Sequence, residues 1–264
     1  MLNQYSQDLR VPTVPSTAPP KQDLIVVVTG TTGTFGSYLL SSLLHSLSIS
    51  KIYCLNCNEN AAASLRAFVQ RSPSSNSSFS SLEGKLTYIT IDLSKPNLSL
   101  PNCSYEALVE DIDLPKHKSA GFVFLSTVST AEKWRPPTTT FSSSQDNLAP
   151  ETSHLFGTSA SIGYSESKYV AEHLVSSACH KVGVRSAICR VGQIAGPTHN
   201  EHDGGDDLEH LERVDWVPAD VLGDAVGEMV VSAYIKTQES EMRAIEEEVE
   251  GGKDEKTTAS SCML

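Results

Sequence analysis

The sequence has little positive charge, few aromatic residues and no long apolar run. Its 264 residues contain 20 Lys and Arg against 32 Asp and Glu, giving a formal charge of −12 and a pI near 5.1. Contacts to nucleic-acid phosphates need clustered Lys and Arg, so this balance argues against a nucleic-acid partner. No apolar segment reaches the roughly 20 residues of a membrane-spanning helix, and no signal-peptide core follows Met1. The sequence therefore predicts a cytoplasmic protein without a membrane partner.

Cysteine and histidine form no pattern typical of a disulfide framework or a metal site. The six cysteines are irregularly spaced, and no disulfide framework is predicted. Cys54 and Cys57 make a single C-x-x-C pair, which is interpreted as one packed thiol beside an incidental neighbour. His199, His202 and His210 lie in an acidic, glycine-containing stretch, and their spacing fits no helix face or strand ladder. No metal site is predicted.

Alternating apolar runs and amphipathic segments predict an α/β fold, a doubly wound parallel sheet. Strands are expected at 24–30, 51–55, 85–93, 122–127 and 184–191. Helical spacing is found at 34–47, 61–71, 164–181 and after Pro218. In the first helix the apolar stripe consists of Leu40, Leu43, Leu44 and Leu47. The run at 122–127 is uniformly apolar until its last two hydroxyl residues, which predicts a strand buried on both faces.

A glycine-rich turn joins the first predicted strand to the first helix. The segment TGTTGTFG gives a G-x-x-G-x-x-G spacing, and glycine lets the backbone approach a pyrophosphate at a helix N-terminus. The context of strand, turn and helix predicts a dinucleotide phosphate site. The alternative is a tight turn without a ligand. The candidate cofactor residues in this turn are Gly30, Thr31, Thr32, Gly33, Thr34, Phe35 and Gly36.

Residues after the second and third strands bear on the rest of the cofactor. Asp92, followed by Leu93, suits the adenine amine as an acceptor; alternatively, Asp92 only forms a turn at the strand end. An acidic residue after the second strand would hold the ribose 2′-hydroxyl of NAD, and an Arg the 2′-phosphate of NADP. Cys57 stands there instead. Glu59 and Arg66 lie nearby and are interpreted as solvated helix charges.

The segment GYSESKYVAE contains a Y-x-x-x-K pair, Tyr164 and Lys168. This spacing puts both side chains on one helix face. A neighbouring ammonium lowers the pKa of a phenol from about 10, so that it can exchange a proton closer to neutrality. Ser126 and Thr127 end the preceding strand, where a hydroxyl can polarise a substrate carbonyl. These residues predict a proton-transfer site at a carbonyl; the alternative is a chance Y-x-x-x-K pair.

These motifs together resemble the extended short-chain dehydrogenase/reductase family. The closer similarity is to the terminal thioester reductase domains of fungal nonribosomal-peptide-synthetase-like and carboxylic acid reductases. The stretches that carry it are TGTTGTFG, KIYCLN, TYITIDLSKPNL, GFVFLSTVSTAEKW, GYSESKYVAEHL, CRVGQIAGP and VDWVPADVLG.

The resemblance implies a Rossmann-like fold that binds NADP in preference to NAD. It implies reduction of an acyl thioester, held on the phosphopantetheine of a carrier protein, to an aldehyde or alcohol. The expected catalytic residues are Thr127, Tyr164 and Lys168. Tyr164 and Lys168 are also expected to contact the cofactor, as is Val191 beside the nicotinamide. The carrier is expected on a separate chain, because the sequence begins at Met1 with a linker-like segment.

The expected organisation has four parts. Residues 1–23 are predicted to be a linker, and residues 24–198 the NAD(P)-binding Rossmann-like domain. Residues 199–236 are predicted to be a reduced substrate-binding region, and residues 237–264 an acidic, disordered tail.

The resemblance also predicts that a central strand and its helix are missing. Only LPKHKSA lies between the turn near Asp113 and the strand that begins near Gly121, whereas a strand with its crossover helix takes roughly 30 residues or more. The first strand must then pair with GFVFLST or leave a gap in the sheet. Three functions stay open: the thioester reductase, a catalytically inactive remnant or NAD(P)-binding module, and an extended reductase or epimerase acting on a small carbonyl or nucleotide sugar.

Overall fold

The structure is a computed structural model, and it describes residues 24–71, 82–112, 121–135, 149, 157–183, 185–198 and 216–232. The predicted linker, the three histidines and the predicted acidic tail lie outside the described residues. In chain order the elements are β1 (Leu24–Thr29), α1 (Thr34–His45), β2 (Ile49–Asn56), α2 (Ala61–Arg71), β3 (Leu86–Thr90), α3 (Asn102–Ile112), β4 (Gly121–Thr127), α4 (Gly163–Val182), β5 (Arg185–Val191), β6 (Gln193–Ala195), β7 (Trp216–Pro218) and α5 at 219–232.

The strands pair in parallel, which confirms the predicted α/β class. One sheet has the order β1-β2-β3, a second pairs β4 with β5, and a short third pairs β6 with β7. Each parallel partner is reached through a crossover, as parallel pairing requires. None of the described helices is long and apolar enough to cross a membrane.

Alternate residues of the first sheet face two different cores, as the period of two along a strand dictates. On one face, Val26 and Ile52 pack with buried leucines of α1, with Leu65 of α2 and with Val226 of α5. On the other face, Tyr53 packs in the buried cluster that includes α3. Helices therefore cover both faces of the sheet, which is the doubly wound arrangement that the sequence predicts.

Helix α1 supplies the largest buried side chains of the molecule. Leu40, Leu43 and Leu44 are almost fully buried, which confirms the predicted apolar stripe. Leu47 is 98% exposed, so its predicted place on that stripe is wrong. The helix ends at His45 and the backbone of the capping residue is extended, so the helical periodicity does not reach Leu47.

Helix α3 is present although the sequence motifs do not point to it. Tyr105, Leu108 and Ile112 are spaced i, i+3, i+7, a signal that could have indicated an amphipathic helix. Leu108 is buried beneath the sheet with Leu55 and Ile91. This helix supplies the layer that covers the second face of the sheet.

The sheet is interrupted between β1 and β4. In the described part of the chain, β1 pairs only with β2 and β4 only with β5. Val123 and Leu125 of β4 nevertheless pack against the core that contains Val26 and Val28 of β1. Of the two outcomes that the sequence predicts for a missing central strand, the structure therefore has the gap and not the re-paired sheet.

The gap changes the burial of β4. The uniformly apolar sequence predicts a strand buried on both faces, but Val123, Phe124 and Leu125 are only half-buried and Phe122 is 44% exposed. That prediction is wrong, because β4 has a hydrogen-bonded neighbour on one edge only among the described residues.

The C-x-x-C pair is split between core and surface, as the sequence predicts. Cys54 is fully buried in β2, and burial raises the pKa of its thiol to about 11, whereas Cys57 is exposed. In native protein, iodoacetamide at neutral pH is expected to label Cys57 and the exposed Cys103 and to spare Cys54, because only an exposed thiolate reacts. Peptide mass mapping checks this, with urea-unfolded protein as the control in which all three label. Native labelling of Cys54 at the rate of Cys57 would contradict the buried position of β2.

Candidate nucleotide and carbonyl site

The glycine-rich turn between β1 and α1 is held by a small set of hydrogen bonds. Gly30 has a φ of 73°, a conformation that glycine adopts without penalty, and its carbonyl accepts from Gly33 N at 3.1 Å. Ser37 Oγ donates to the carbonyl oxygens of Thr31 and Gly33 at 3.2 and 3.0 Å. Asn56 Nδ2, from the end of β2, donates to Thr31 Oγ1 at 2.8 Å. The turn is thereby fixed to both its own helix and the neighbouring strand.

The amino end of α1 is suited to an anion. Its capping residue is Gly33, no side-chain cap is found among the described residues, and no acidic residue lies in the first turn. The first N–H groups of a helix have no partner within it and carry a partial positive charge. Gly33 and Thr34 are exposed, Thr32 is half-buried, and Phe35 packs into the core below. These residues fit a pyrophosphate.

The third glycine of the turn is required by a close approach. A Cβ atom at Gly36 would lie 2.1 Å from the carbonyl oxygen of Gly30. The turn can keep its shape only without a side chain there. The strand, the turn and the helix therefore have the form that this glycine spacing predicts for a phosphate cradle.

The predicted adenosine side of the cradle lies at the ends of β2 and β3. Asn56 is 2% exposed, and its Oδ1 has no hydrogen-bond partner among the described residues. Arg66 forms an ion pair with Glu83 at 2.6 Å, on the exposed surface. A buried amide with an unused acceptor at this position fits a site that is completed by a ligand or water.

Asp92, predicted to accept from the adenine amine, is engaged in a local turn. Its Oδ1 accepts from the backbone N and from the Oγ of Ser94 at 2.9 and 2.6 Å. These hydrogen bonds hold the pKa of the Asp92 carboxyl below its usual value. The structure thus contains the turn that the sequence offers as the alternative, while the adenine contact stays a prediction. Leu93 follows with its side chain exposed.

A chain of hydroxyl groups links the end of β4 to the first turn of α4. Thr127 Oγ1 lies 3.1 Å from Ser129 Oγ, which lies 2.6 Å from Ser165 Oγ. Thr127 Oγ1 also accepts from the backbone N of Ser129 at 3.3 Å. Ser165 is fully buried next to Tyr164. This chain ties the end of β4, where Thr127 stands, to the first turn of α4, which begins with Gly163 and Tyr164.

Tyr164 and Lys168 lie on one side of α4, as their spacing predicts. Tyr164 is 59% exposed, and the Nζ of Lys168 lies 5.9 Å from the centre of its ring. Lys168 Nζ donates to the carbonyl oxygen of Leu125 at 2.7 Å and lies 4.8 Å from the ring centre of Phe124. Burial lowers the pKa of the Lys168 ammonium. The lysine thus ties the helix to β4 next to the phenol.

Several of the residues singled out from the sequence lie at or just after the carboxyl ends of strands, whereas Tyr164 and Lys168 lie on α4. Gly30 follows β1, Cys57 follows β2 and Asp92 lies just past β3. Thr127 and Val191 end β4 and β5, and they pair with each other in the parallel register. Ligands of open α/β sheets bind at this edge. Among the described residues, the structure therefore places those predicted for the phosphate site and those predicted for the carbonyl site on opposite sides of the interruption in the sheet.

Three polar residues of this region are not indicated by the sequence motifs. Asn56 fixes the cradle from β2, and Ser129 and Ser165 connect the two catalytic candidates. The repeated hydroxyls of STVST and of GYSESK were the available signal. Such hydroxyl runs are common in loops, so the signal is not specific. Among the described residues, no group of three or more His, Cys, Asp or Glu side chains is arranged to hold a metal.

Comparison with known proteins identifies the family. The profile described as male sterility protein, an NAD-binding family, matches residues 28–135 and 115–212. The chain belongs to this family. The match of the male sterility protein family comes as two segments that overlap in 115–135. This overlap begins within LPKHKSA, where the sequence predicts a missing strand and helix.

Relatives of this chain include proteins named as reductases. The carboxylic acid reductase of Neurospora crassa is 27% identical over 269 residues, which take in 87% of this chain and 24% of that protein. The adenylate-forming reductase Nps9 of Serpula lacrymans is 27% identical over 290 residues, with 89% and 26% of the two chains covered. The chain spans about a quarter of the length of these relatives. Their names confirm the resemblance that the motifs predict.

The alignment lengths also indicate missing residues. Since 87% of 264 residues is about 230, about 39 of the 269 positions aligned with the Neurospora crassa protein are gaps in this chain. That number is enough for one strand with its crossover helix.

Solved structures confirm the Rossmann-like fold. The terminal R domain of the myxalamid PKS-NRPS pathway matches with a TM-score of 0.59 and 20% identity, covering 85% of this chain and 68% of that one. The reductase domain of a nonribosomal peptide synthetase from Mycobacterium tuberculosis matches with a TM-score of 0.58 and 20% identity, covering 88% and 67%. The catalytic roles, the domain boundaries and the carrier partner stay predictions.

Proposed function

We propose that this chain is a nicotinamide-dependent reductase domain that reduces an acyl thioester presented on the phosphopantetheine of a carrier protein. The observation that supports it most is the position of Lys168 Nζ, which lies 5.9 Å from the Tyr164 ring centre and donates to the carbonyl oxygen of Leu125, two residues before Thr127 at the end of β4. The relatives named as reductases add to that support. The cytoplasmic location predicted from the sequence stays a prediction.

The cofactor would lie along the carboxyl edge of the strands. The cradle of Gly30, Gly33 and Gly36 would hold its pyrophosphate, and Val191 would lie beside its nicotinamide. When bound, the reduced nicotinamide supplies a hydride to the acyl carbonyl carbon. NADPH is proposed over NADH on the family resemblance alone. The residue after β2 is Cys57, which indicates neither a contact to the ribose 2′-hydroxyl of NAD nor one to the 2′-phosphate of NADP.

The chain's own residues supply the proton and hold the carbonyl. The Thr127 hydroxyl donates a hydrogen bond to the carbonyl oxygen and polarises it. The Tyr164 phenol gives its proton to the same oxygen as negative charge develops there. The Lys168 ammonium, 5.9 Å from the phenol ring centre, would place a positive charge near the oxygen on which negative charge develops. Departure of the carrier thiol then leaves an aldehyde.

The gap between β1 and β4 favours a second candidate, an NAD(P)-binding module without turnover. The cradle is complete on one side of the gap and the hydroxyl, phenol and amine are on the other. If the missing strand is needed to bring the halves together, the cradle alone would bind a dinucleotide. The two candidates differ in turnover and share cofactor binding.

Titration of the purified chain with NADPH separates the candidates. We expect saturable enhancement of NADPH fluorescence, slower iodoacetamide labelling of Cys57 in the complex, and a cooperative circular-dichroism melt that shifts upward with ligand. NADH serves as the comparison and is expected to bind more weakly. NADPH oxidation is then followed with acyl thioesters of pantetheine. Binding with turnover supports the reductase, and binding without turnover in a cooperatively melting protein supports the module. A cooperative melt without binding would contradict both.

A further inference from the structure

Helix α4 carries a buried carboxylate one turn beyond Lys168. The side chain of Glu172 is 5% exposed, and it forms an ion pair with Arg190 of β5. Arg190 Nη2 and Nε donate to Glu172 Oε2 at 2.6 and 3.1 Å. This bidentate geometry is the stronger form of an Arg–carboxylate contact.

The same carboxylate contacts residues that precede and follow the predicted catalytic Thr127 in the sequence. Its Oε1 accepts a short hydrogen bond from the buried Ser126 Oγ, and it lies 2.9 Å from Thr130 Oγ1. Thr130 Oγ1 also lies 2.8 Å from the carbonyl oxygen of Thr127. Ser126 and Thr130 thus fix the backbone before and after Thr127 to one carboxylate of α4. That helix also carries Tyr164 and Lys168.

The hydrogen bonds to Glu172 and the charge of Arg190 counteract the effect of burial on the pKa of its carboxyl. Burial alone would raise the pKa of the Glu172 carboxyl, but the hydrogen bonds from Arg190, Ser126 and Thr130 outweigh it and hold the pKa below its usual value. The carboxylate therefore stays ionised and accepts hydrogen bonds only.

Stability alone does not require this pair. A buried ion pair is often replaced by apolar side chains of similar volume with little loss of stability, whereas removal of one partner leaves a costly buried charge. Apolar side chains cannot accept hydrogen bonds from Ser126 and Thr130. What the pair adds is the position of the β4 end relative to α4.

We propose that Glu172, paired with Arg190, is a positioning residue that orients the Thr127 hydroxyl toward the carbonyl oxygen at Tyr164. The inference rests on the proposed reductase function. It acts through the backbone on both sides of Thr127 and involves no contact of Glu172 with substrate.

The test is a double variant, Glu172→Met with Arg190→Met, compared with wild type. The melting temperature is expected to fall by only a few degrees, because the charges are removed together and the main remaining cost is the buried Ser126 hydroxyl that loses its acceptor. The dissociation constant for NADPH is expected to stay near wild type. The kcat for the acyl thioester is expected to fall on the order of 100-fold, the effect of a misplaced catalytic group. Glu83→Gln breaks the exposed ion pair with Arg66, serves as the matched control and is expected to leave kcat unchanged.

A Thr127→Val background shows whether Glu172 acts through Thr127. If it does, the double Met change has no further effect on kcat once the threonine hydroxyl is gone, because residues acting as a unit are not additive. If the pair instead affected kcat independently of Thr127, the fold-loss in kcat from the double Met change and that from Thr127→Val would multiply. Multiplied losses, or full kcat in a folded double variant, would overturn the inference.

Hydrogen exchange keeps the inference testable if wild type binds NADPH but shows no turnover. Such a result would contradict the proposed reductase function. The effect of the Glu172–Arg190 pair on the position of the segment around Thr127 could still be measured. The backbone N–H of Ser129 donates to Thr127 Oγ1, and its exchange in the double variant is expected to be about tenfold faster or more than in Glu83→Gln, as for local opening without global unfolding. Unchanged exchange would show that the pair does not position this segment.

Discussion

Replacing Gly36 with alanine is expected to abolish NADPH binding and to destabilise the whole chain. The added Cβ would lie 2.1 Å from the Gly30 carbonyl oxygen and 2.9 Å from the Gly30 carbonyl carbon. Both are backbone atoms, so no side-chain rotation relieves the contact. Overpacking costs about 1–3 kcal/mol where the core can adjust, and we expect the upper end or more here because the turn must open. Against a domain stability of about 5–15 kcal/mol, this loss is large.

Urea unfolding and NADPH titration on the same preparation check this result. Gly84→Ala is the matched control, because a Cβ there meets nothing within 4 Å. Gly33→Ala is a second comparison, since its Cβ would be in ordinary contact with the Gly30 oxygen at 3.5 Å, and it is expected to fold. A Gly36→Ala protein with wild-type midpoint and affinity would contradict the described turn between β1 and α1.

The first elements of the fold could be predicted because the residues that indicate each of them lie close together in the sequence. The stripe of Leu40, Leu43 and Leu44 and the glycine spacing after β1 each lie within a few residues of sequence. Where the prediction fails, a boundary or a distant neighbour decides. Leu47 falls outside the helix because the helix ends at His45. Phe122 is exposed because the neighbour of β4 on one edge is absent from the described sheet.

In the candidate site as well, features within one segment could be predicted from the sequence and contacts between distant segments could not. Tyr164 and Lys168 lie on one helix, so their spacing predicts that both side chains lie on the same face of it. Thr127 ends a strand that its apolar sequence predicts. The Glu172 network joins α4 to β4 and β5 across 46 and 18 residues of sequence, and no local period encodes such pairs. Its only local sign is that Glu172 stands four residues after Lys168, on the same side of the helix. Asp92 illustrates the reverse case, since the Asp-Leu-Ser order was already a turn signal.

The interruption of the sheet limits what holds the two halves of the site together. Val123 and Leu125 of β4 pack against the apolar core to which β1 also contributes, but the described residues contain no hydrogen-bonded ladder between β1 and β4. Apolar contacts are not directional, whereas a ladder fixes register. The cradle and the carbonyl site are thus each well fixed within their own half. Their mutual position depends on packing, so turnover is a sharper test of the assembled site than cofactor binding.

Tyr164→Phe is expected to lower thioester reduction by about 10²–10⁴-fold, the contribution of a positioned proton donor. The change removes only the hydroxyl and leaves the ring beside Lys168. Because the side chain is 59% exposed, the melting temperature is expected to stay near wild type, as for most surface changes. The dissociation constant for NADPH is expected to change little, since the phosphate cradle lies on β1 and α1. Steady-state kinetics, NADPH titration and thermal melts measure the three quantities.

Tyr105→Phe is the matched control, because it removes a phenol hydroxyl from the half-buried surface of α3 and should leave kcat unchanged. A Tyr164→Phe enzyme that keeps more than about a tenth of wild-type turnover would mean that another group gives the proton, because loss of a positioned donor costs at least about 10²-fold. A loss confined to KM would place Tyr164 in substrate binding and not in proton transfer. Equal loss of kcat and kcat/KM, with binding and folding retained, is the result that only a proton donor at the carbonyl oxygen explains. It would also show that the two halves of the site meet despite the gap between β1 and β4.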